Sequence, residues 1–308
     1  MRASQAEYDA IIVGGGLAGL AAAFWLARYR RRVRVHDAGG GRNQATWVVH
    51  GYPGIPDLTP AELRRRLRDQ ATAAGAEHVQ VPVQSIEREG DVFRVVPVTG
   101  PPVLARRVLL AFGRRDLLPE IPGIAEAYGT SVFHCPDCDG PSLTGARVGV
   151  LGWTAGAAEL ALYLLTWVRD PVLLTHGHDL ELDEHGQATL RRYGIRIRTE
   201  PIARLAHRNG RITRIAFEDG STLPLDAVFC HLRSLPATGL AEQLGCEADH
   251  DGCVRVDRGQ QTSVPGIYAA GDLVGHPHLA IIAASSGVRA ALAIHRSLLP
   301  PDHRLDAS

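Results

Sequence analysis

Apolar residues change their spacing near the start of the chain, and this change marks the first structural elements. The uninterrupted apolar run Ile11–Val13 predicts a buried strand. After a run of glycines, apolar residues recur three and four positions apart from Leu17 to Phe24, which is the spacing of a helix. A second strand-like segment, in which Val33 and Val35 alternate with polar residues, ends at Asp37. The segment therefore predicts a strand, a glycine turn, a helix and another strand.

A second segment, Arg147 to His176, repeats this order of elements. When Gly14 is superposed on Gly152, Gly19 falls on Ala157. A repeat of this kind predicts two nucleotide-binding units of the same general type.

The remaining segments predict accessory strands, one linker and a last helix. Apolar and polar residues alternate around turn residues in 79–100 and 204–230, which is typical of β-meanders. The prolines of Leu117–Ile124 favour a linker, and the run from Leu279 to Leu298 favours a helix.

Together these elements predict an α/β fold of two Rossmann-like domains, the second inserted into the first, with accessory β-meanders. The expected boundaries give one discontinuous domain, residues 1–116 and 243–308, and an inserted domain, residues 117–242.

Composition narrows the possible functions. The formal net charge is zero, so neither a nucleic-acid partner nor an anionic membrane surface is expected. All 33 basic residues are arginine, which excludes lysine Schiff-base chemistry. The uncharged stretch Ala10–Ala27 is interrupted by glycines, so no transmembrane segment is expected. Five cysteines without a secretory signal favour a cytoplasmic protein.

The first glycine run has the spacing GxGxxG, at Gly14, Gly16 and Gly19. These glycines allow a tight turn, close approach of the backbone to a pyrophosphate, and close helix–strand packing. Asp37 follows about 20 residues later, where an acid accepts the hydroxyls of the adenosine ribose. The combination favours a dinucleotide-binding site.

A CxxC pair, Cys135 and Cys138, lies between the two nucleotide-binding segments. A structural zinc site needs four ligands, and Cys230, Cys246 and Cys253 form no second CxxC pair. A redox dithiol therefore fits better than a metal site or a structural disulfide, because a cysteine thiolate at a helix start is a nucleophile of lowered pKa.

At this point the sequence resembles the low-molecular-weight thioredoxin reductases and their flavoprotein relatives. The resemblance rests on five motifs in order, VGGGLAGLAAA, GYPGIPDLTPAEL, LLAFGRRDLLPEIPG, HCPDCDG and TSVPGIYAAGDLVG. It implies FAD in the first domain, a pyridine nucleotide in the second, and a homodimer.

The resemblance also implies which residues contact FAD. These are Gly14, Gly16, Ala18, Gly19, Asp37, Gly41, Arg42, Asn43, His50, Val83, Gly271, Asp272, Leu279 and Ala280. Two positions depart from the family. His50 and Gly51 replace an asparagine-containing turn near the flavin, and His278-Leu279 replaces an Arg-Gln pair before the last helix.

For the CxxC pair the resemblance implies that Cys138 is the thiol on the flavin side and that Cys135 attacks the external disulfide. Asp139 would move a proton, or cap a helix, or do both. Asp137 has no counterpart in the usual reductases and receives no role. Related small-molecule dithiol oxidases carry histidine in place of Asp139, while Thr175–Gly177 and the tail resemble that branch. The expected partner is therefore a thioredoxin-like protein or a small dithiol or disulfide.

The second glycine motif departs most from the family. The candidate residues of this site are Gly152, Trp153, Thr154, Ala155 and His176. Thr154 replaces the middle glycine, so the backbone cannot approach a pyrophosphate closely. Between Arg169 and Arg191 there is no lysine or arginine that could bind a 2′-phosphate, and Asp179, Glu181, Asp183 and Glu184 add negative charge.

These departures lead to one main hypothesis and three alternatives. The main hypothesis is an FAD-dependent thiol–disulfide oxidoreductase that does not depend on NADPH, with a second FAD, stacked on Trp153, as a variant of it. The alternatives are a conventional NADPH-dependent thioredoxin reductase, a small-molecule dithiol oxidase, and a flavin-loaded redox sensor without turnover.

Overall fold

The structure is a computed structural model that describes residues 6–231, 233–275 and 277–303. Its strands are β1 Tyr8–Val13, β2 Val33–His36, β3 Glu77–Val79, β4 Val83–Glu89, β5 Val92–Pro97, β6 Val103–Leu110, β7 Arg114–Asp116, β8 Val132–Phe133, β9 Val148–Leu151, β10 Val172–Leu174, β11 Arg196–Arg198, β12 Ile202–Arg208, β13 Arg211–Phe217, β14 Thr222–Leu223, β15 Ala227–Cys230, β16 Ser234–Pro236 and β17 Ile267–Ala269.

The α-helices are α1 Leu17–Arg28, α2 Pro60–Ala73, α3 Ile124–Ala127, α4 Pro136–Asp139, α5 Ala155–Tyr163, α6 Glu184–Arg192, α7 Leu240–Gln243 and α8 Ala280–Ser297. Short 3-10 turns occupy Arg42–Ala45, Gly140–Leu143, Leu164–Thr166, Gly271–Leu273 and Pro301–His303.

The chain forms two compact units. The first contains the residues up to Gln44, Gly51–Arg115 and the residues from Ser234 onward, and the second contains Ala45–His50 and Asp116–Arg233. The chain thus returns to the first unit at Ser234, earlier than the expected residue 243.

The first unit is built on a seven-stranded sheet. Strands β3, β2, β1, β6 and β17 are parallel, and β5 and β4 continue from β6 as an antiparallel meander. Helices α1 and α8 pack together through small residues, because a side chain at Gly287 would collide with the backbone of Ala18. This close approach places both helix N-termini near the carboxyl ends of the parallel strands, where α/β folds bind ligands.

The second unit has a five-stranded parallel sheet in the order β11-β10-β9-β15-β8 and a separate antiparallel sheet of β12, β13 and β14. Strands β9, β10 and β15 are buried along their whole length. A strand buried on both faces is apolar throughout, as the continuous runs of this segment are.

The expected α/β architecture with two Rossmann-like units is confirmed. Helix α8 begins and ends within one residue of the predicted Leu279–Leu298 helix. Within the part of the chain that the structure describes, no helix is both long enough and apolar enough for a membrane crossing.

Candidate active site

The first glycine turn connects β1 to α1 and leaves the helix N-terminus accessible. Gly14 has φ of 116°, and a side chain there would collide with the backbone of Ala111. Gly19 lies against the carbonyl oxygen of Gly14, so it too has no room for a Cβ. At Gly16, by contrast, a Cβ would meet nothing within 4 Å, and this residue begins α1 without a side-chain cap. The first N–H groups of α1 are therefore available to an anion.

Asp37 follows β2 and is held by three groups. Its side chain is 7% exposed, forms an ion pair with Arg64 and lies 3.3 Å from Nε2 of His78. The backbone N–H of Gly39 donates to Oδ1 at 3.0 Å. Arg64 also donates to the carbonyl oxygens of Gly15 and Gly40, at 2.8 and 2.9 Å. The carboxylate is thus fixed in orientation at the end of the strand.

An open cavity of about 360 Å³ lies beside this carboxylate and is lined by Asp37, Gly39, Arg64, Arg68 and His78, among others. The cavity lining combines one carboxylate with three arginines, Arg64, Arg65 and Arg68. Such a wall can accept hydrogen bonds from hydroxyl groups and attract phosphate at the same time.

A second cluster of polar side chains lies before helix α8. Arg42 forms an ion pair with Asp272 at 3.3 Å, and its Nη1 lies 2.8 Å from Nδ1 of His278. The N–H of Gly271 donates to the Ser286 hydroxyl at 2.8 Å, which fixes the turn that carries Asp272. Leu279 caps α8 without a side-chain hydrogen bond, and Ala280 is the first helical residue. A second helix N-terminus is therefore open to an anion.

The other candidate FAD residues have different surroundings. Gly41 and Asn43 flank Arg42 at the start of a 3-10 turn, and Gly41 has φ of 148°. Val83 begins β4 and is buried in the core of the first unit. His50 belongs to the second unit, where its charge acts on Asp139.

The CxxC turn begins immediately after His134. Cys135 and Cys138 form a disulfide, and the Cys138 N–H donates to Sγ of Cys135 at 3.1 Å. Pro136 occupies the first position of α4, where its fixed φ suits a helix start. Cys135 is therefore the residue that caps this helix, and Asp139 makes no side-chain cap hydrogen bond.

Asp139 is a carboxyl with an altered proton affinity. Burial raises its pKa to about 6, and the charge of His50 opposes the shift. A group that titrates near neutral pH can both take up and release a proton in one catalytic cycle.

Two polar side chains, Tyr128 and Asp116, fix His134, the residue before the disulfide. The Tyr128 hydroxyl donates to Asp116 at 2.5 Å and lies 2.8 Å from Nδ1 of His134. The Asp116 side chain is only 3% exposed. This chain of contacts orients His134 and with it the backbone that leads into Cys135.

The turn after β9 in the second unit is covered by side chains. The ring of His231 lies over Gly156, so close that a Cβ on Gly156 would come within 2.5 Å of Nε2. Nδ1 of the same ring lies 3.3 Å from the hydroxyl of Thr154. Partial desolvation lowers the pKa of His231, so the ring is uncharged at neutral pH. The start of α5, which begins at Ala155, is therefore occupied by a neutral ring.

Trp153 and the following acidic segment close the same turn from another side. The Trp153 ring stacks on His178 with centroids 3.7 Å apart. The N–H of Glu181 donates to the Trp153 carbonyl at 2.7 Å, and Thr154 forms a backbone bridge with Glu181. The acidic segment thus passes the turn at which a phosphate would bind, with the backbone of Glu181 paired to it.

The residues at the end of β10 offer no acceptor for a ribose. Thr175 is fully buried. His176 has φ of 51°, and its Nδ1 accepts the N–H of Ile202 at 2.8 Å. The weakness of this nucleotide site stays a prediction.

Comparisons with known proteins place the chain in a family. The pyridine nucleotide-disulphide oxidoreductase family profile matches residues 8–287. The chain belongs to this family. It is 34% identical to the thioredoxin reductase tcpT of Claviceps purpurea, over 86% of each chain. It is 31% identical to the thioredoxin reductase of Treponema pallidum, over 94% of this chain and 96% of the relative.

Among solved structures, HlmI superposes with a TM-score of 0.90 at 36% identity, over 94% of this chain and 92% of HlmI. The expected resemblance to thioredoxin reductases is confirmed. The protein is a flavin-dependent disulfide oxidoreductase of the thioredoxin reductase-like class.

Family membership implies FAD, and the first unit fits this cofactor. Its two uncapped helix N-termini suit a pyrophosphate, and Gly16 leaves room for one. Asp37 provides the acceptor that an adenosine ribose needs.

Sequence reasoning missed several residues of these sites, above all Arg64, His78, Tyr128 and His231. Arg64, His78 and His231 reach their partners from elements distant in sequence, and Tyr128 lies outside the CxxC motif, so no motif spacing could have indicated these contacts.

Proposed function

We propose that this thioredoxin reductase-like enzyme exchanges electrons between bound FAD and an external dithiol or disulfide through Cys135 and Cys138, and that NADPH is not its electron donor. The observation that carries the proposal is the ring of His231 over Gly156, which closes the helix start where a pyridine nucleotide would place its pyrophosphate.

The residues that would hold FAD lie in the first unit. The N-terminus of α1 at Gly16 would take the pyrophosphate, and Asp37 would accept the ribose hydroxyls. Arg42 and Asp272, joined by their ion pair, would bind the chain that leads to the flavin. Bound FAD supplies the two-electron exchange with a thiol.

The two cysteines would carry the exchange with the partner. With a dithiol, one partner thiolate attacks Sγ of Cys135, the Cys135–Cys138 bond breaks, and Cys138 leaves as a thiolate. The second partner thiol then attacks the mixed disulfide, so that the partner is oxidised and Cys135 is released. Two electrons and two protons reach the cysteine pair, and with a disulfide partner the same steps run in reverse.

Asp139 would donate and take back one of these protons. Because its pKa is about 6, the carboxyl holds a proton in about a tenth of the molecules at pH 7, far more often than an ordinary aspartate does. It can then protonate the leaving thiolate of Cys138 and take the proton back in the next half-reaction.

Three features speak against NADPH. A neutral histidine ring covers Gly156, the backbone of Glu181 pairs with that of Thr154, and the segment between Arg169 and Arg191 has no lysine or arginine. A 2′-phosphate bound there would meet negative charge and find no guanidinium. A second FAD in this unit and a homodimer remain predictions. A thioredoxin-like protein is the partner that the names of the relatives support.

The experiment compares electron donors on the purified holoenzyme. Released flavin is counted per chain, and the enzyme is then mixed anaerobically with NADPH or with dithiothreitol while flavin absorbance is followed. We expect bleaching within seconds by the dithiol and none on this timescale by NADPH. Rapid bleaching by NADPH would overturn the proposal.

A Cys138→Ser variant is the matched control for the electron path. It should keep bound FAD and lose bleaching by dithiothreitol. If this variant were still bleached at the wild-type rate, Cys138 would not be the flavin-side thiol. Two FAD molecules per chain would favour the second flavin.

A further inference from the structure

The two residues between the redox cysteines differ in what they contribute to the turn. Pro136 starts the helix, whereas Asp137 is exposed and points its carboxylate at another element. The hydroxyl of Tyr163, on α5, donates to Oδ1 of Asp137 at 2.6 Å. An exposed acid between two redox cysteines is thus held by a tyrosine 26 residues away in sequence.

The tyrosine that holds Asp137 is itself fixed. The Tyr163 ring meets Trp167 edge to face, with centroids 5.7 Å apart. Trp167 in turn lies against Gly140, at the end of the CxxC turn, so closely that a Cβ there would collide with its ring. The contacts form a closed loop from the turn to α5 and back. The carboxylate is therefore kept at one place beside the disulfide.

Structural reasons alone do not account for this acid. The start of α4 is already capped by Cys135, and a four-residue helix has little dipole for an acid to stabilise. The hydrogen bond also raises the pKa of Tyr163, so the hydroxyl stays a donor. Glu159, an exposed acid one turn before Tyr163, also places a negative charge on α5.

We propose that Asp137, positioned by Tyr163, selects the exchange partner by charge, so that the enzyme reacts preferentially with a dithiol or disulfide that carries positive charge beside its sulfur atoms. The inference rests on the proposed function. Asp137 lies in the turn between the two cysteines and its side chain is exposed and held by Tyr163, so a partner whose sulfur reaches Cys135 also faces this carboxylate. At separations of about 5–8 Å in a solvated site, one unit charge changes a rate by about threefold to tenfold.

The test uses dithiols of different charge on the FAD-loaded enzyme at low ionic strength. The probes are the cationic 2-amino-1,4-butanedithiol, uncharged dithiothreitol and anionic dimercaptosuccinate, each followed by anaerobic flavin bleaching. The ratio of cationic to anionic rates should fall about tenfold in Asp137→Asn, and part of the way in Tyr163→Phe. Because only ratios between variants are compared, the intrinsic reactivity of each probe cancels.

A second measurement does not depend on flavin. In a Cys138→Ser background Cys135 is a free thiol, and its labelling by cationic and anionic methanethiosulfonates is followed by mass spectrometry. Adding Asp137→Asn should lower the cation-to-anion ratio by about the same factor, and salt should lower it in the parent. Asp91→Asn, which removes an exposed acid from the β4–β5 turn, should leave the ratio unchanged.

The outcomes separate the two proposals. If no dithiol of any charge bleaches the flavin, the proposed function fails. If dithiols bleach it but the charge ratio is the same in wild type, Asp137→Asn and Tyr163→Phe, the function stands and charge selection by Asp137 is overturned. If Asp137→Asn does not fold, the Tyr163→Phe variant and the salt titration of the wild type still decide the question.

Discussion

At the scale of single residues, the CxxC turn contains two acids whose surroundings give them different chemistry. Asp139 is desolvated, so its pKa is raised to about 6 and it can carry a proton. Asp137 is exposed and bound by Tyr163, so it acts on its surroundings as a charge. Both are aspartates, and each is one residue away from Cys138. The difference in burial makes Asp139 a proton carrier and Asp137 a fixed charge.

The raised pKa of Asp139 predicts a stability that depends on pH. An ordinary aspartate titrates near 3.8, so between pH 4 and 6 the folded state binds more protons than the unfolded state. Stability is therefore lost as pH rises through this range, and the loss is complete above pH 6. Asp139→Asn should be about 2 kcal/mol more stable than wild type at pH 7 and equally stable near pH 4.

Denaturant unfolding of the two proteins across this pH range checks the prediction. Asp137→Asn, which removes an exposed carboxylate from the same turn, controls for the simple loss of charge. The same Asp139→Asn enzyme should exchange thiols more slowly, because its proton carrier is gone. A stability difference that does not change with pH would contradict the assigned burial of Asp139.

At the scale of elements, the two units share one arrangement of strand, glycine turn and helix but differ at the helix start. In the first unit α1 begins at Gly16 with open space above the backbone. In the second unit α5 begins beneath the ring of His231. A helix N-terminus binds an anion only when its N–H groups are accessible, so we expect a phosphate at the start of α1 and none at the start of α5.

Two glycines of the first turn should respond differently to alanine. Gly16→Ala adds a methyl group that meets no protein atom and suits the backbone angles, so the apoprotein should fold with unchanged stability. FAD affinity should nevertheless fall by about tenfold or more, because the pyrophosphate needs close approach to this backbone. Gly19→Ala should instead destabilise the protein by about 1–3 kcal/mol, since its methyl collides with Gly14.

Flavin retention after gel filtration and thermal unfolding of the apoproteins measure these two effects separately. Equal FAD affinity in Gly16→Ala and wild type would exclude this turn as the pyrophosphate site.

An element could be predicted from the sequence when the residues that determine it are adjacent in the chain. The β1–α1–β2 segment and helix α8 are set by residues adjacent in the chain, and periodicity alone predicted them. The partners of Asp37 were not predictable in this way, because Arg64 and His78 come from α2 and β3 and meet only after folding. The same holds for Tyr163, whose contact with Asp137 depends on the packing of α5.

The departures from the family motif, by contrast, could be read directly from the sequence. Thr154 and the acidic segment after β10 were visible as substitutions, so the sequence predicted a weak nucleotide site. The group that covers the site was not visible, because His231 follows β15 and reaches Gly156 only in the folded sheet. A motif shows which residue is missing, whereas the packing determines which residue fills the space.

At the scale of the whole molecule, two nucleotide-type units of unequal accessibility predict how ligands change thermal stability. A ligand that binds only the folded state raises its stability according to its concentration and dissociation constant. FAD should therefore raise the melting temperature of the apoprotein by several degrees. NADP⁺ at millimolar concentration should change the melting temperature of the FAD-loaded protein by less than about 1 °C, because His231 and the acidic segment close the second unit.

Scanning calorimetry of the same preparation with each ligand tests this, with adenosine monophosphate as a control for nonspecific nucleotide effects. A rise of several degrees with NADP⁺ would mean that the ring of His231 moves aside and that the second unit is a working pyridine nucleotide site. A further rise when excess FAD is added to the holoenzyme would instead assign the second unit to a second flavin, since saturation of the first site would already be complete.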